Sequence, residues 1–251
     1  MTGSNEFEAG IFLVDKPENI SSFAMVSRVR RILGIKKVGH AGTLDPFASG
    51  LLIICVGRKA TRMISSFMEG EKEYLATICL GISTETFDPE GRITARQPVG
   101  EIAADKIKEC LAGFTGRQKQ VPPAYSALKH KGKPLYHYAR QGIKIEKPAR
   151  DIFIRRLDWQ DQRPSVSGDT AEITVRVVCS KGTYIRTLAD DIGRQLGCGG
   201  YLKMLRRTKS GCFSVKNAVK GQALQEREAL DTLMSGMITV EEASGLLQVC
   251  R

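Results

Sequence analysis

The sequence predicts an α+β fold, and three observations carry that reading. Short strand-like segments stand beside longer segments whose apolar residues recur at helical spacing. Strands and helices do not alternate in the regular rhythm of βαβ units. The 251 residues suit one large domain or two small ones, enough to bury a core without disulfide or metal staples.

Taken in order, Ile11 to Val14 reads as a strand, broken by Lys16-Pro17. Ser21 or Ser22 caps a helix running to about Leu33, stopped by Gly34. Val26, Val29, Ile32 and Leu33 give it an apolar face; Arg28, Arg30 and Arg31 give it a basic face, either solvated or in contact with a polyanion. Gly39 to Gly50 is a loop of small residues, and the unbroken apolar run Leu51 to Val56 is a buried strand. A helix near Ala60 to Met68, a strand at Tyr74 to Leu80 and a helix at Glu101 to Leu111 follow. Gly113 to Arg150 is basic, broken by Pro122-Pro123 and glycines, and carries Tyr125, Tyr136 and Tyr138 among Lys129, Lys131, Lys133 and Arg140. Ala171 to Cys179 alternates as a strand does. Thr183 to Leu196 has helical spacing and ends at Gly197, and Tyr201 to Arg207 is a strand. Beyond Gln222 the chain is helical and amphipathic, with one helix to Met234 and a second at Thr239 to Leu247.

The charge is less ordinary than the pattern. Lys and Arg number 38 against 27 acids, a net +11, which favours a polyanionic partner, most often nucleic acid. The seven cysteines are dispersed without a Cys-x-x-Cys pair, and the three histidines supply no zinc spacing. That usage fits a reducing cytoplasm and predicts no metal. Met1 to Gly10 is polar and acidic, unlike a signal peptide, and reads as a flexible N-terminus. No run approaches the roughly 18 apolar residues of a membrane span.

One loop carries the candidate chemistry. In His40-Ala41-Gly42-Thr43-Leu44-Asp45-Pro46, proline keeps Asp45 extended, and Leu44, Pro46 and Phe47 partly exclude water. A carboxylate held this way is a plausible nucleophile or base. On local grounds alone a turn residue is the simpler account, and Asp88-Pro89, in a polar acidic stretch, reads as a turn.

Six segments in order decide between these readings. They are Asp15-Lys16-Pro17 with Ser21-Ser22; Gly42 to Pro46 with Ala48 to Leu52; Glu71 to Tyr74; Val121 to Lys129; Cys179 to Leu188; and Leu205-Arg206-Arg207. Together they resemble the TruB family of tRNA pseudouridine synthases over roughly residues 10 to 217. The resemblance implies a pseudouridine synthase fold, with a central mixed or antiparallel sheet flanked by helices. It implies isomerisation of uridine 55 in the T loop of tRNA, with no cofactor. Asp45 takes the nucleophile's place, Arg186 that of the arginine paired with it, and Tyr74 that of the tyrosine packed on the uracil. His40 matches a residue that helps extrude the base; Tyr184 and Leu205 match residues lining its pocket. Tyr125, Lys129, Lys131 and Lys133 lie in an RNA-contacting insert at about 113–150. The catalytic domain then spans 11–220. Residues 221–251 form a short helical tail, too short for the PUA-type RNA-binding domain usual in bacterial members. The expected partner is the tRNA T arm, the expected state a monomer.

Overall fold

A computed structural model describes residues 7–143, 145 and 147–249. Six residues of the expected flexible N-terminus, Lys144 and Glu146 of the expected insert, and Cys250 and Arg251 lie outside the described residues.

The chain runs β1 (Gly10–Lys16), α1 (Ser22–Leu33), β2 (Val38–Ala41), β3 (Ser49–Val56), α2 (Gly57–Thr61), α3 (Ile64–Met68), β4 (Lys72–Leu80), β5 (Ile82–Thr84), β6 (Ile93–Arg96), β7 (Val99–Ala103) and α4 (Ala104–Gly113). It continues through β8 (Gly116–Gln120), β9 (Lys129–His130), β10 (Lys133–Pro134), α5 (Leu135–Ala139), β11 (Arg150–Trp159), β12 (Ser165–Gly168), β13 (Ala171–Cys179), α6 (Ile185–Gln195) and β14 (Gly200–Ser210). It closes with β15 (Phe213–Ser214), β16 (Val219–Lys220), α7 (Ala229–Ser235), β17 (Met237–Ile238) and α8 (Val240–Val249). These elements form two units, Met1–Lys72 with Arg206–Arg251, and Glu73–Leu205.

In the first unit the strand order is β16-β1-β3-β14. β1 and β3 are antiparallel from Gly10↔Val56 to Lys16↔Gly50, whereas β16 joins β1, and β14 joins β3, in parallel. This mixed sheet is covered on both faces, which explains why β1 and β3 are apolar without alternation. Phe12, Val14, Leu52 and Ile54 face Met25 and Val29 of α1 together with Leu224 and Leu233. Ile11, Leu13, Leu51, Ile53 and Cys55 face Phe67, Phe213 and Ala243. Leu224, Leu233 and Ala243 of the C-terminal tail therefore complete both faces of the core. In the second unit the order is β14-β4-β13-β11-β8, with β11 antiparallel to both β13 and β8. Alternation along β13 sets Ile173, Val175 and Val177 in its core.

Several expected boundaries move. Val38–Ala41, expected inside the small-residue loop, is a strand, because Gly39 and His40 pair with Cys55 and Ile54. The expected helix at 60–68 is two short helices separated by Arg62 and Met63. The helix expected from Glu101 begins at Ala104; Ile102 and Ala103 instead pair with Val166 and Ser165. The single helix expected over 222–234 is a 3₁₀ turn at Ala223–Gln225 and then α7, since Glu226 is extended between them. Gly116–Gln120, within the segment expected as an insert, forms a ladder with β11.

Candidate active site

Asp45 lies in the first unit, in the turn between β2 and β3. Its carbonyl accepts from Ala48 N at 3.1 Å, a β-turn with Asp45 first and Pro46 second, the positions these residues favour. Leu44, Phe47 and Ala48 are buried around it, while Asp45 itself is half-buried. Three side chains fix this turn. Ser22 Oγ accepts from Leu44 N and donates to Leu44 O, both at 2.9 Å. Lys16 is wholly buried, and its Nζ donates to Pro17 O (2.8 Å), Ile20 O (2.6 Å) and Pro46 O (3.2 Å). Arg207, 2% exposed, donates from Nε to Leu51 O at 2.7 Å and from Nη2 to Gly42 O at 3.0 Å. β14 approaches β3 so closely that a Cβ on Gly50 (φ 102°) would lie 2.3 Å from Arg207 O, so only glycine fits there.

His40, at the end of β2, sits beside this clamp. Burial, and then the Arg207 charge, lower its pKa, which keeps the imidazole neutral. Its Nδ1 is buried without a hydrogen-bond partner among the described residues.

The remaining site residues belong to the second unit. Arg186 is buried in the first turn of α6. Its Nη1 donates to Asp88 Oδ2 and Thr86 O, both at 3.1 Å, and its Nη2 donates to Tyr125 O at 2.7 Å. Asp88 Oδ1 accepts from Glu90 N at 3.0 Å and from the Thr86 hydroxyl. Asp88 thus occupies the turn expected from Asp88-Pro89, but it is 3% exposed and forms a buried ion pair with Arg186. Sequence reasoning missed this role. The available signal was an arginine in an otherwise apolar helix start, which needs a buried carboxylate partner.

Tyr74 is half-buried on β4, on the same side as Ala76 and Ile78. Leu205 is buried in β14, and Tyr184 is the N-cap of α6. Tyr125 is half-buried, its hydroxyl 3.4 Å from Glu85 Oε1. Lys129, Lys131 and Lys133 are all exposed on a hairpin in which His130 pairs with Lys133 across Lys131-Gly132. Lys131 (φ 47°) and Gly132 (φ 82°) both take the left-handed conformation that such a two-residue connection requires. Asp45 and His40 are thus gathered in one unit, and Arg186, Tyr74, Tyr184, Leu205, Tyr125 and the three lysines in the other. Among the described residues no group of His, Cys, Asp and Glu could hold a metal ion, and no helix is long and apolar enough to cross a membrane.

The chain resembles the crystal structure of a Cbf5–Nop10–Gar1 complex with a TM-score of 0.68 and 26% identity, over 94% of this chain and 62% of that one. This likeness, with a mixed sheet flanked by helices, gives the chain the fold of the pseudouridine synthases. The model of the N-terminal domain of TruB family pseudouridylate synthases matches residues 30–185, and that of the tRNA pseudouridylate synthase B C-terminal domain matches 186–242, so the chain belongs to the TruB family. It is 58% identical over 243 residues to a tRNA pseudouridine synthase B of Desulfotalea psychrophila, covering 97% of this chain and 98% of that protein. It is 49% identical over 216 residues to one of Aromatoleum aromaticum, covering 86% and 68%.

Proposed function

We propose that this enzyme isomerises uridine 55 in the T loop of tRNA to pseudouridine, with Asp45 as nucleophile. One observation carries the assignment to Asp45: the turn that holds it is fixed by three buried side chains, Lys16, Ser22 and Arg207. A turn that served only to reverse the chain would not need such fixing, whereas a reacting carboxylate must be held in direction.

The reaction breaks the bond from uracil N1 to the ribose C1′ and joins C1′ to C5 of the same base. The proton on C5 is lost and N1 gains one, so atoms balance without an external group, a redox step or a cofactor. A carboxylate supports this as nucleophile. Arg186 and Tyr74 complete the catalytic set. His40 helps draw the uridine out of its stack, at a cost of a few kcal/mol, into a pocket lined by Tyr74, Tyr184 and Leu205. Tyr125 and the lysines at 129, 131 and 133 contact the T arm from the insert at about 113–150. The catalytic domain spans 11–220. The helical tail that follows it buttresses its core, a role supported by the burial of Leu224, Leu233 and Ala243. The enzyme acts in the cytoplasm as a monomer.

The test is to map pseudouridine in a T-arm stem-loop, without guide RNA, after treatment with wild-type protein and with Asp45→Asn. Wild type should modify the uridine corresponding to position 55, and Asp45→Asn should lose at least about 10³-fold in rate while still folding, because asparagine also suits the first turn position. Continued modification by Asp45→Asn would overturn the nucleophile. Modification only when a guide RNA is added would overturn the stand-alone enzyme.

A further inference from the structure

We infer that Gln120 and Arg150 are positioning residues that hold Tyr184 in place for the reaction, an inference that rests on Tyr184 lining the uracil pocket. Gln120, the last residue of β8, is 4% exposed. A buried glutamine needs both ends of its amide satisfied. Its Oε1 accepts from Tyr184 N at 2.8 Å, and its Nε2 donates to Tyr184 O at 3.0 Å. The side-chain amide thus acts as a strand partner for one residue of main chain. Tyr184 is extended (φ −94°, ψ 108°) and caps α6 without a side-chain bond of its own. The clamp from Gln120 therefore fixes the backbone from which the ring projects.

Arg150 fixes the ring itself. Its guanidinium carbon lies 4.6 Å from the Tyr184 ring centroid, within cation–π range. Its Nε is buried and has no hydrogen-bond partner among the described residues, and it forms no ion pair among them. Lying against the aromatic ring is its principal interaction. Arg150 and Gln120 are directly opposed partners in the β8–β11 ladder. A single strand pair thus delivers one residue to the backbone of Tyr184 and another to its ring. The Tyr184 hydroxyl makes no hydrogen bond to a described residue, and the ring is only half-buried. The residue is held at its main chain and against a cation, while its polar end is left for a substrate. An exposed arginine on a strand would serve solubility equally well with its donors in water; this one gives up a donor to lie against an aromatic ring.

The experiment measures single-turnover pseudouridine formation, RNA affinity and melting temperature on a T-arm stem-loop. The variants are Gln120→Ala, Arg150→Lys, Tyr184→Leu and the two doubles with Tyr184→Leu. Gln120→Ala and Arg150→Lys should each slow the reaction about 10-fold or more, since small misplacements near a reacting base are costly. RNA affinity should stay within about twofold, because on this inference both residues act on Tyr184 and not on phosphate, and lysine keeps the charge. In the Tyr184→Leu background neither change should slow the reaction further by more than about twofold. Arg150→Lys alone carries the test if Gln120→Ala does not fold. Wild-type rates in both single variants, losses that add in the doubles, or an affinity loss equal to the rate loss would each overturn the inference. Additive loss for Gln120→Ala would mean that it acts through the start of α6, where Arg186 lies. A wild-type enzyme that makes no pseudouridine in this RNA overturns the proposed function, and this inference with it; an active wild type with unaffected variants overturns the inference alone.

Discussion

Ser22 and Leu44 exchange two hydrogen bonds of 2.9 Å, the amide of Leu44 donating to the Ser22 hydroxyl and its carbonyl accepting from it. The neighbouring Ser21 does something different, accepting from Ala24 N at 3.1 Å as the cap of α1. The two serines thus divide the work of starting a helix and holding the turn of Asp45. Ser22→Ala should leave two buried backbone groups unpaired, at about 1–3 kcal/mol each. At about 2–4 °C per kcal/mol for a chain of this size, the melting temperature should fall measurably, and the single-turnover rate should fall with it. Ser21→Ala should cost about 1 kcal/mol of helix stability and leave the rate unchanged. Equal effects of the two substitutions on rate would refute this division.

Asp88 and Arg186 form a buried pair at 3.1 Å, with side-chain exposures of 4% and 6%. Asp88→Asn replaces a buried ion-pair acceptor by a neutral amide, so it should destabilise by about 1–3 kcal/mol and lower activity. Thermal melts alongside the single-turnover assay check this. A melting temperature equal to wild type would show that Arg186 does not depend on Asp88.

The contrast between Asp45 and Asp88 shows how far the sequence reaches. Both precede proline, and both sit in turns, so local chemistry treats them alike. The ordered motifs single out Asp45. The burial of Asp88 depends on Arg186, 98 positions away, and no local pattern records that. The same limit explains the misplaced boundaries. Glu101-Ile102-Ala103 has fair helix propensity, but its partner strand lies about Ser165, and tertiary pairing overrides propensity. The glycines around His40 suggest a loop, yet the edge of β3 takes this segment as a partner strand. By contrast, the unbroken apolar runs of β1 and β3 and the capped, periodic α1 are legible, because burial on both faces and a helix start each leave a local mark. The tail carries such a mark only weakly: its helices are visible, but not that Leu224, Leu233 and Ala243 finish a core laid down by strands far earlier in the chain.

Asp15 offers a prediction in pH. Burial pushes its carboxyl upward, but Arg206, with two bonds of 2.9 Å, and Lys220, with one of 2.9 Å, outweigh this and hold its pKa below the usual carboxylate value. A depressed folded pKa means that the ionised form favours the folded state. Its contribution is therefore present above the ordinary value of about 3.9 and is lost as pH falls through the lower folded value. Asp15→Asn should melt below wild type near neutrality, and the gap should close as pH drops below about 4. Melts across that range decide the matter; a gap that does not change with pH would show that the charge on Asp15 contributes nothing.

Lys129, Lys131 and Lys133 are held in one exposed hairpin, and the geometry of its turn bears on how they should act. Because Lys131 and Gly132 both take positive φ, the connection is tight, and the three lysines are confined to one short hairpin instead of being spread along a loop. Exposed lysines release condensed counterions from RNA as they neutralise phosphates, so their contribution should appear in the salt dependence of binding more than in the rate of the bound complex. Replacing all three by glutamine should weaken T-arm binding and lower the slope of log affinity against log salt by about 0.7 for each phosphate that is no longer neutralised, about 2 in all. The single-turnover rate at saturating enzyme should change little. Titrations at four or five salt concentrations, with saturation kinetics on the same RNA, separate the outcomes. An unchanged slope would place the hairpin away from the RNA, and a slope change accompanied by a large fall in the saturated rate would give the lysines a part in catalysis itself.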